Sequence, residues 1–88
     1  MAENLEELRK QIDDIDVEIV KQMNQRAGVV LQIRGHKKHE GMPMHDPERE
    51  LRVLNKVMAA NDGPLDDETI RHLYRHIMQH MREFKADE

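Results

Sequence analysis

The chain has 88 residues, 38% of them hydrophobic and 36% charged, with 14 Lys plus Arg against 18 Asp plus Glu, a formal charge of −4, no Cys, no Trp, one Phe and one Tyr. One small domain fits this length, and disulfides, thiolate nucleophiles and Cys-type metal sites are excluded, as is an overall basic field for nucleic acid or an anionic membrane. A small anionic ligand would need a local cluster of positive charge.

The first predicted element is one long helix over about 4–36. Leu5, Leu8, Ile12, Ile15 and Ile19 recur in steps of three and four, and the same phase later meets Val29 and Ile33. Asn4 is a candidate cap, Glu6 and Glu7 suit the first turn, Gly28 is a weak point, and Gly35 and Gly41 mark the exit. Asp46 followed by Pro47 opens a second helix over about 46–60, with Leu51, Leu54, Val57 and Met58 as its inner side. Asn61-Asp62-Gly63-Pro64 stops it. Asp66 then caps a third helix over about 66–85, striped by Ile70, Leu73, Tyr74, Ile77, Met81 and Phe84. The fold class is all-α, one domain over 1–88. No apolar run is long enough to span a membrane, and the acidic start at Met1-Ala2-Glu3-Asn4 has no signal-peptide pattern, so the expected location is the cytoplasm.

At 1.5 Å per residue a first helix of about 31 residues is about 46 Å long, whereas a compact chain of this size is about 30 Å across. Such a helix overhangs a monomer. Its protruding apolar residues call for a second copy, most simply in a two-fold dimer; a kink at Gly28 that folds the helix back is the alternative.

Arg26 falls in the apolar phase of the first helix, where a guanidinium needs either a carboxylate, a snorkelling path to water or an anionic ligand. Arg9, at the edge of the stripe, lies about 25 Å away along the axis, so one straight helix cannot bring both to one small molecule. Two antiparallel copies can, with Arg9 of one meeting Arg26 of the other. Lys37 follows Arg26 by eleven residues, close to three turns, and the run Asp46-Pro47-Glu48-Arg49-Glu50 concentrates charge at a helix start. Each has a plain reading as a surface or capping charge. His72, His76 and His80 lie off the apolar stripe and read as exposed imidazoles rather than metal ligands.

Leu8-Arg9-Lys10-Gln11-Ile12-Asp13-Asp14-Ile15-Asp16, Gln25-Arg26, Lys37 and Asp46-Pro47-Glu48-Arg49-Glu50 together resemble the all-helical, AroQ-class chorismate mutase family over essentially the whole chain. Asn61-Asp62-Gly63-Pro64 and the helix after it look most like the version of this domain fused to bacterial 3-deoxy-arabino-heptulosonate 7-phosphate synthase, which makes that enzyme an expected fusion or complex partner. The resemblance implies an intertwined homodimer with two shared sites that rearranges chorismate to prephenate in aromatic amino-acid biosynthesis, with no cofactor or metal. It also implies roles. Arg26 and the partner subunit's Arg9 would bind the two substrate carboxylates, and Lys37 a carboxylate and the ether oxygen whose bond breaks. Asp46 and Glu50 would orient the ring hydroxyl, with Arg49 supporting the polar network. Met81 stands where the family often has Ser, and Lys85 where it has Gln or Glu, so Lys85 would donate to the ether oxygen as an ammonium. The catalytic set is thus Lys37, Lys85, Arg26 and Glu50, and the substrate-binding set adds Arg9, Asp46, Arg49 and Met81. The alternatives are a regulatory or docking mutase-like domain, a structural helical module, and a lyase acting on isochorismate.

Overall fold

The computed structural model describes residues 4–86; the acidic start at Met1, Ala2 and Glu3 lies outside them, as do Asp87 and Glu88. Three helices follow in order, α1 over Leu5–Glu40, α2 over Pro47–Ala59 and α3 over Asp67–Glu83. Each begins on a side-chain oxygen that accepts from a backbone amide three residues on. Asn4 takes Glu7 N at 2.8 Å, Asp46 takes Arg49 N at 3.1 Å and Asp66 takes Thr69 N at 2.9 Å. The expected short polar link between α2 and α3 is built around Asn61, whose amide donates to the Leu65 carbonyl at 2.8 Å and the Asp67 carboxylate at 2.9 Å.

Two boundaries differ from expectation. α1 runs unbroken through Gly28 and Gly35 and ends four residues past His36. A helical glycine costs about 1 kcal/mol without forcing an exit, whereas Gly41 supplies one, with φ at 69°. Its N–H donates to the Lys38 carbonyl at 3.3 Å and that of Met42 to the Lys37 carbonyl at 2.7 Å, the paired bonds of a Schellman ending. Lys37 is therefore in the last helical turn. At the other end of the chain α3 stops at Glu83 rather than Lys85, and Phe84 is extended at φ −63° and ψ 147°. The Arg34 guanidinium donates to the carbonyls of Met81 and Phe84. The Met81 carbonyl is the one that a further helical residue, Lys85, would have used.

α2 and α3 pack on each other, and α3 lies against α1. Tyr74 and Ile77 of α3 face Ile15, Ile19 and Met23 of α1 across a shared apolar recess. Among the described residues only Leu54 and Met78 are buried apolar side chains. Every residue of the leading α1 stripe, from Leu5 to Ile19, is at least 43% exposed. The chain is 59 Å long with a radius of gyration of 16.6 Å, against about 12 Å for a compact chain of 88 residues. Its accessible surface is 7696 Å², where a compact monomer of 10.4 kDa would show about 5,400 Å². No described helix is long and apolar enough to cross a membrane.

Candidate active site

A cleft opens where the C-terminal half of α1, the start of α2 and the last turns of α3 converge. Arg26, Val30, Ile33, Arg34 and Lys37 enter it from α1, Met44 and Asp46 from the connecting loop, Arg49, Glu50 and Val53 from α2, and Met78, Met81 and Arg82 from α3. Arg26, Val30, Ile33 and Lys37 fall at helical spacing on one side of α1, which explains how residues eleven apart in sequence share a wall. The Asp46 cap and Pro47 fix where α2 begins, which sets Arg49 and Glu50 in its first turn.

Five cations and two carboxylates line this cleft, an excess of three positive charges in a chain whose formal charge is −4. Some are already committed. Arg82 Nη1 donates to Glu50 Oε2 at 2.6 Å, and His45 Nε2 lies 3.5 Å from Glu50 Oε1. Lys37 Nζ donates to the Met44 carbonyl at 3.3 Å, which ties the lysine to the loop and leaves two of its three N–H groups for a ligand. Arg34 is spent on the end of α3. Arg26 and Arg49 have no side-chain hydrogen bond or ion pair among the described residues. Both are thus available to an anion. Val30, Ile33, Val53, Met78 and Met81 add apolar surface to the same cleft.

Of the residues singled out in the sequence, Arg26, Lys37, Asp46, Arg49, Glu50 and Met81 meet in this cleft. Arg9 does not: it sits near the far end of the unbroken α1, about 25 Å from Arg26 along the axis. Lys85 lies beyond the end of α3 and lines an adjoining cleft with Leu31, Lys38 and Phe84, separated from the first by the shared Arg34, Met44 and Arg82. Sequence reasoning missed Arg34 and Arg82. Arg34 had a signal, since it follows Arg26 by eight residues and so shares its side of α1; Arg82 sits in a polar stretch of α3 and had none.

Residues 8–86 match the family model for chorismate mutase type II. The chain belongs to that family. It is 39% identical over 80 residues to a bifunctional chorismate mutase/prephenate dehydratase of Aquifex aeolicus, a match covering 86% of this chain and 22% of that protein. A second bifunctional chorismate mutase/prephenate dehydratase, from Neisseria gonorrhoeae, is 39% identical over 82 residues, with 89% of this chain and 22% of that protein covered. The chain thus spans about a fifth of the length of these relatives. Among solved structures, chorismate mutase (form II) of Thermus thermophilus superposes with a TM-score of 0.90 at 33% identity, covering 97% of this chain and 100% of that one. Form I of the same protein gives 0.87 at 35% identity, covering 90% and 99%.

These family members correct one expectation. The fused relatives carry prephenate dehydratase, not 3-deoxy-arabino-heptulosonate 7-phosphate synthase, so neither the likeness to that fusion nor that enzyme as partner stands. The Asn61 to Pro64 turn that suggested it serves to join α2 to α3 and carries no information about what is fused to the domain.

Proposed function

We propose that this chain rearranges chorismate to prephenate in the cationic cleft between α1, α2 and the end of α3. Chorismate mutase activity follows from family membership over residues 8–86 and from likeness to the Thermus enzyme along almost its full length. The observation that carries the cleft is its excess of three positive charges, with Arg26 and Arg49 unpartnered, in an acidic chain. Chorismate is a dianion that needs such a pocket.

The rearrangement is intramolecular: a carbon–oxygen bond breaks as a carbon–carbon bond forms, so no nucleophile is required. A rigid cleft serves it by holding the substrate in the compact conformer that brings the two reacting carbons together. Arg26 takes one carboxylate. Lys37, in the last turn of α1, lies between a carboxylate and the ether oxygen, where its charge favours the negative charge that grows there in the transition state. Asp46 and Glu50 accept from the ring hydroxyl, Arg49 supports them and Met81 packs against the ring. Lys85 lines the adjoining cleft, so a direct part for it requires the segment after Phe84 to move; Lys37 is the cation assigned to the breaking bond.

The second carboxylate is met by Arg9 of the partner subunit in an intertwined, antiparallel homodimer. Supporting this, the chain exposes about 2,300 Å² more than a compact monomer would. Two such surfaces give about 4,600 Å², within the range of obligate homodimers. A two-fold axis crossing α1 between Val17 and Glu18 would set Arg9 of each copy opposite Arg26 of the other, since both lie about eight residues from that point.

Chorismate and isochorismate supplied side by side, with substrate loss and prephenate followed together, test the assignment. Prephenate from chorismate well above the uncatalysed rate is expected. Pyruvate released from isochorismate, or binding of chorismate without turnover, would overturn it in favour of a lyase or a docking domain.

A further inference from the structure

Glu50 is one of the two carboxylates assigned to the ring hydroxyl, and it does not stand alone. Arg82, in the last turn of α3, donates from Nη1 to Glu50 Oε2 at 2.6 Å, and both side chains line the cleft. They are 26% and 29% exposed, so the pair is half-sheltered and only partly screened by water. The same Arg82 also reaches Glu83, but at 3.9 Å and toward a more exposed carboxylate, so Glu50 is its principal partner. The other oxygen of Glu50 faces His45, 3.5 Å away and itself exposed.

A free carboxylate in the first turn of α2 could rotate among several rotamers, or fold across the cleft onto the unpartnered Arg26 or Arg49. Either collapse would neutralise a cation that the substrate needs. A planar guanidinium on α3 opposes both by holding one oxygen, while the second, 3.5 Å from the exposed His45, keeps a lone pair for a ligand hydroxyl. We infer that Arg82 is a positioning residue for the rearrangement: it acts through Glu50, fixing that carboxylate to receive the ring hydroxyl and keeping it off the substrate-binding arginines. The inference rests on the chorismate reading above and adds a residue to it.

A double-mutant cycle of Arg82→Met and Glu50→Gln, with Arg82→Lys as a conservative variant, tests it on the full chain. The readouts are kcat/KM for chorismate per folded enzyme and the urea midpoint at fixed protein concentration. Arg82→Met is expected to lower kcat/KM about 10-fold, the scale of one charge-assisted hydrogen bond. In the Glu50→Gln background the same change should cost less than about 2-fold, because its effect runs through Glu50. Arg82→Lys should recover part of the loss. Unchanged kcat/KM in Arg82→Met with a lowered urea midpoint would reduce Arg82 to a structural tie and overturn the inference, as would an equal loss in both backgrounds. Failure of the unmodified chain to turn over chorismate would instead strike the functional reading itself.

Discussion

The Arg34 guanidinium lies over the Phe84 ring, 4.3 Å from its centroid, while donating to the Phe84 carbonyl at 2.6 Å. One side chain of α1 thereby closes the C-terminal end of α3, satisfying carbonyls that the ended helix leaves open. This contact sets where Met81 and Arg82 stand in the cleft and why Lys85 stands outside it. Arg34→Met should lower stability by about 2 kcal/mol, the sum of a charged hydrogen bond and a modest cation–π contact. Urea unfolding at fixed protein concentration measures it, and hydrogen exchange should speed up at Phe84, whose amide donates to the His80 carbonyl at 2.8 Å. Unchanged exchange there would contradict the contact.

Lys37 and Lys85 are separable by substitution. Lys37→Ala removes the cation assigned to the ether oxygen and should reduce kcat about 100-fold, near 3 kcal/mol of transition-state stabilisation. Lys85→Ala should stay within about 3-fold of the unmodified chain, since Lys85 lines the adjoining cleft. Steady-state kinetics on both variants decides between them. A large loss from Lys85→Ala would mean that the end of the chain folds into the cleft during the reaction.

Two glycines six residues apart should respond with opposite signs. Gly41→Ala forces a side chain into φ 69° and should destabilise by about 1 kcal/mol, although no atom would touch the new Cβ. Gly35→Ala, inside α1 and also in open space, should stabilise by about 0.5–1 kcal/mol. Thermal melts of the two variants at one protein concentration check the pair.

Acid should loosen the start of α3. Hydrogen bonds from Thr69 hold the Asp66 carboxyl below the ordinary aspartate value, and the hydrogen bond from Arg71 holds Glu68 below the ordinary glutamate value. A depressed folded pKa means that the ionised form is favoured by folding. The contribution is complete above the unfolded value, near 4, and lost as pH falls through the lower folded value. Asp66→Asn keeps the cap but not the titration, so its melting temperature should fall less between pH 6 and pH 3 than that of the unmodified chain. An equal fall would contradict the role of Asp66.

The three helices were legible because their signals are local: caps at Asn4, Asp46 and Asp66, a proline at the first position of α2 and apolar stripes at helical spacing. The ends were less so. Gly35 and Gly41 look alike in sequence, and only the backbone bonds of Gly41 and Met42 distinguish an exit from a passage. The end of α3 depends on Arg34, fifty residues upstream, a contact that no window around Phe84 contains. In the cleft, Arg26 announced itself by breaking an apolar phase and Asp46 to Glu50 by charge density at a helix start. Arg82 has an ordinary place among polar residues, and its meaning comes from Glu50, thirty-two positions away.

Completion of each cleft by a second copy can be checked by mixing two inactive variants. Arg9→Ala and Arg26→Ala should each fold as dimers and lose at least about 100-fold in kcat/KM. After subunit exchange about half the dimers are mixed, each with one whole site and one doubly damaged one, so activity should return to about a quarter of that of the unmodified chain. Verified exchange with no recovery, or a stable monomer that turns over chorismate at full rate, would contradict the shared site.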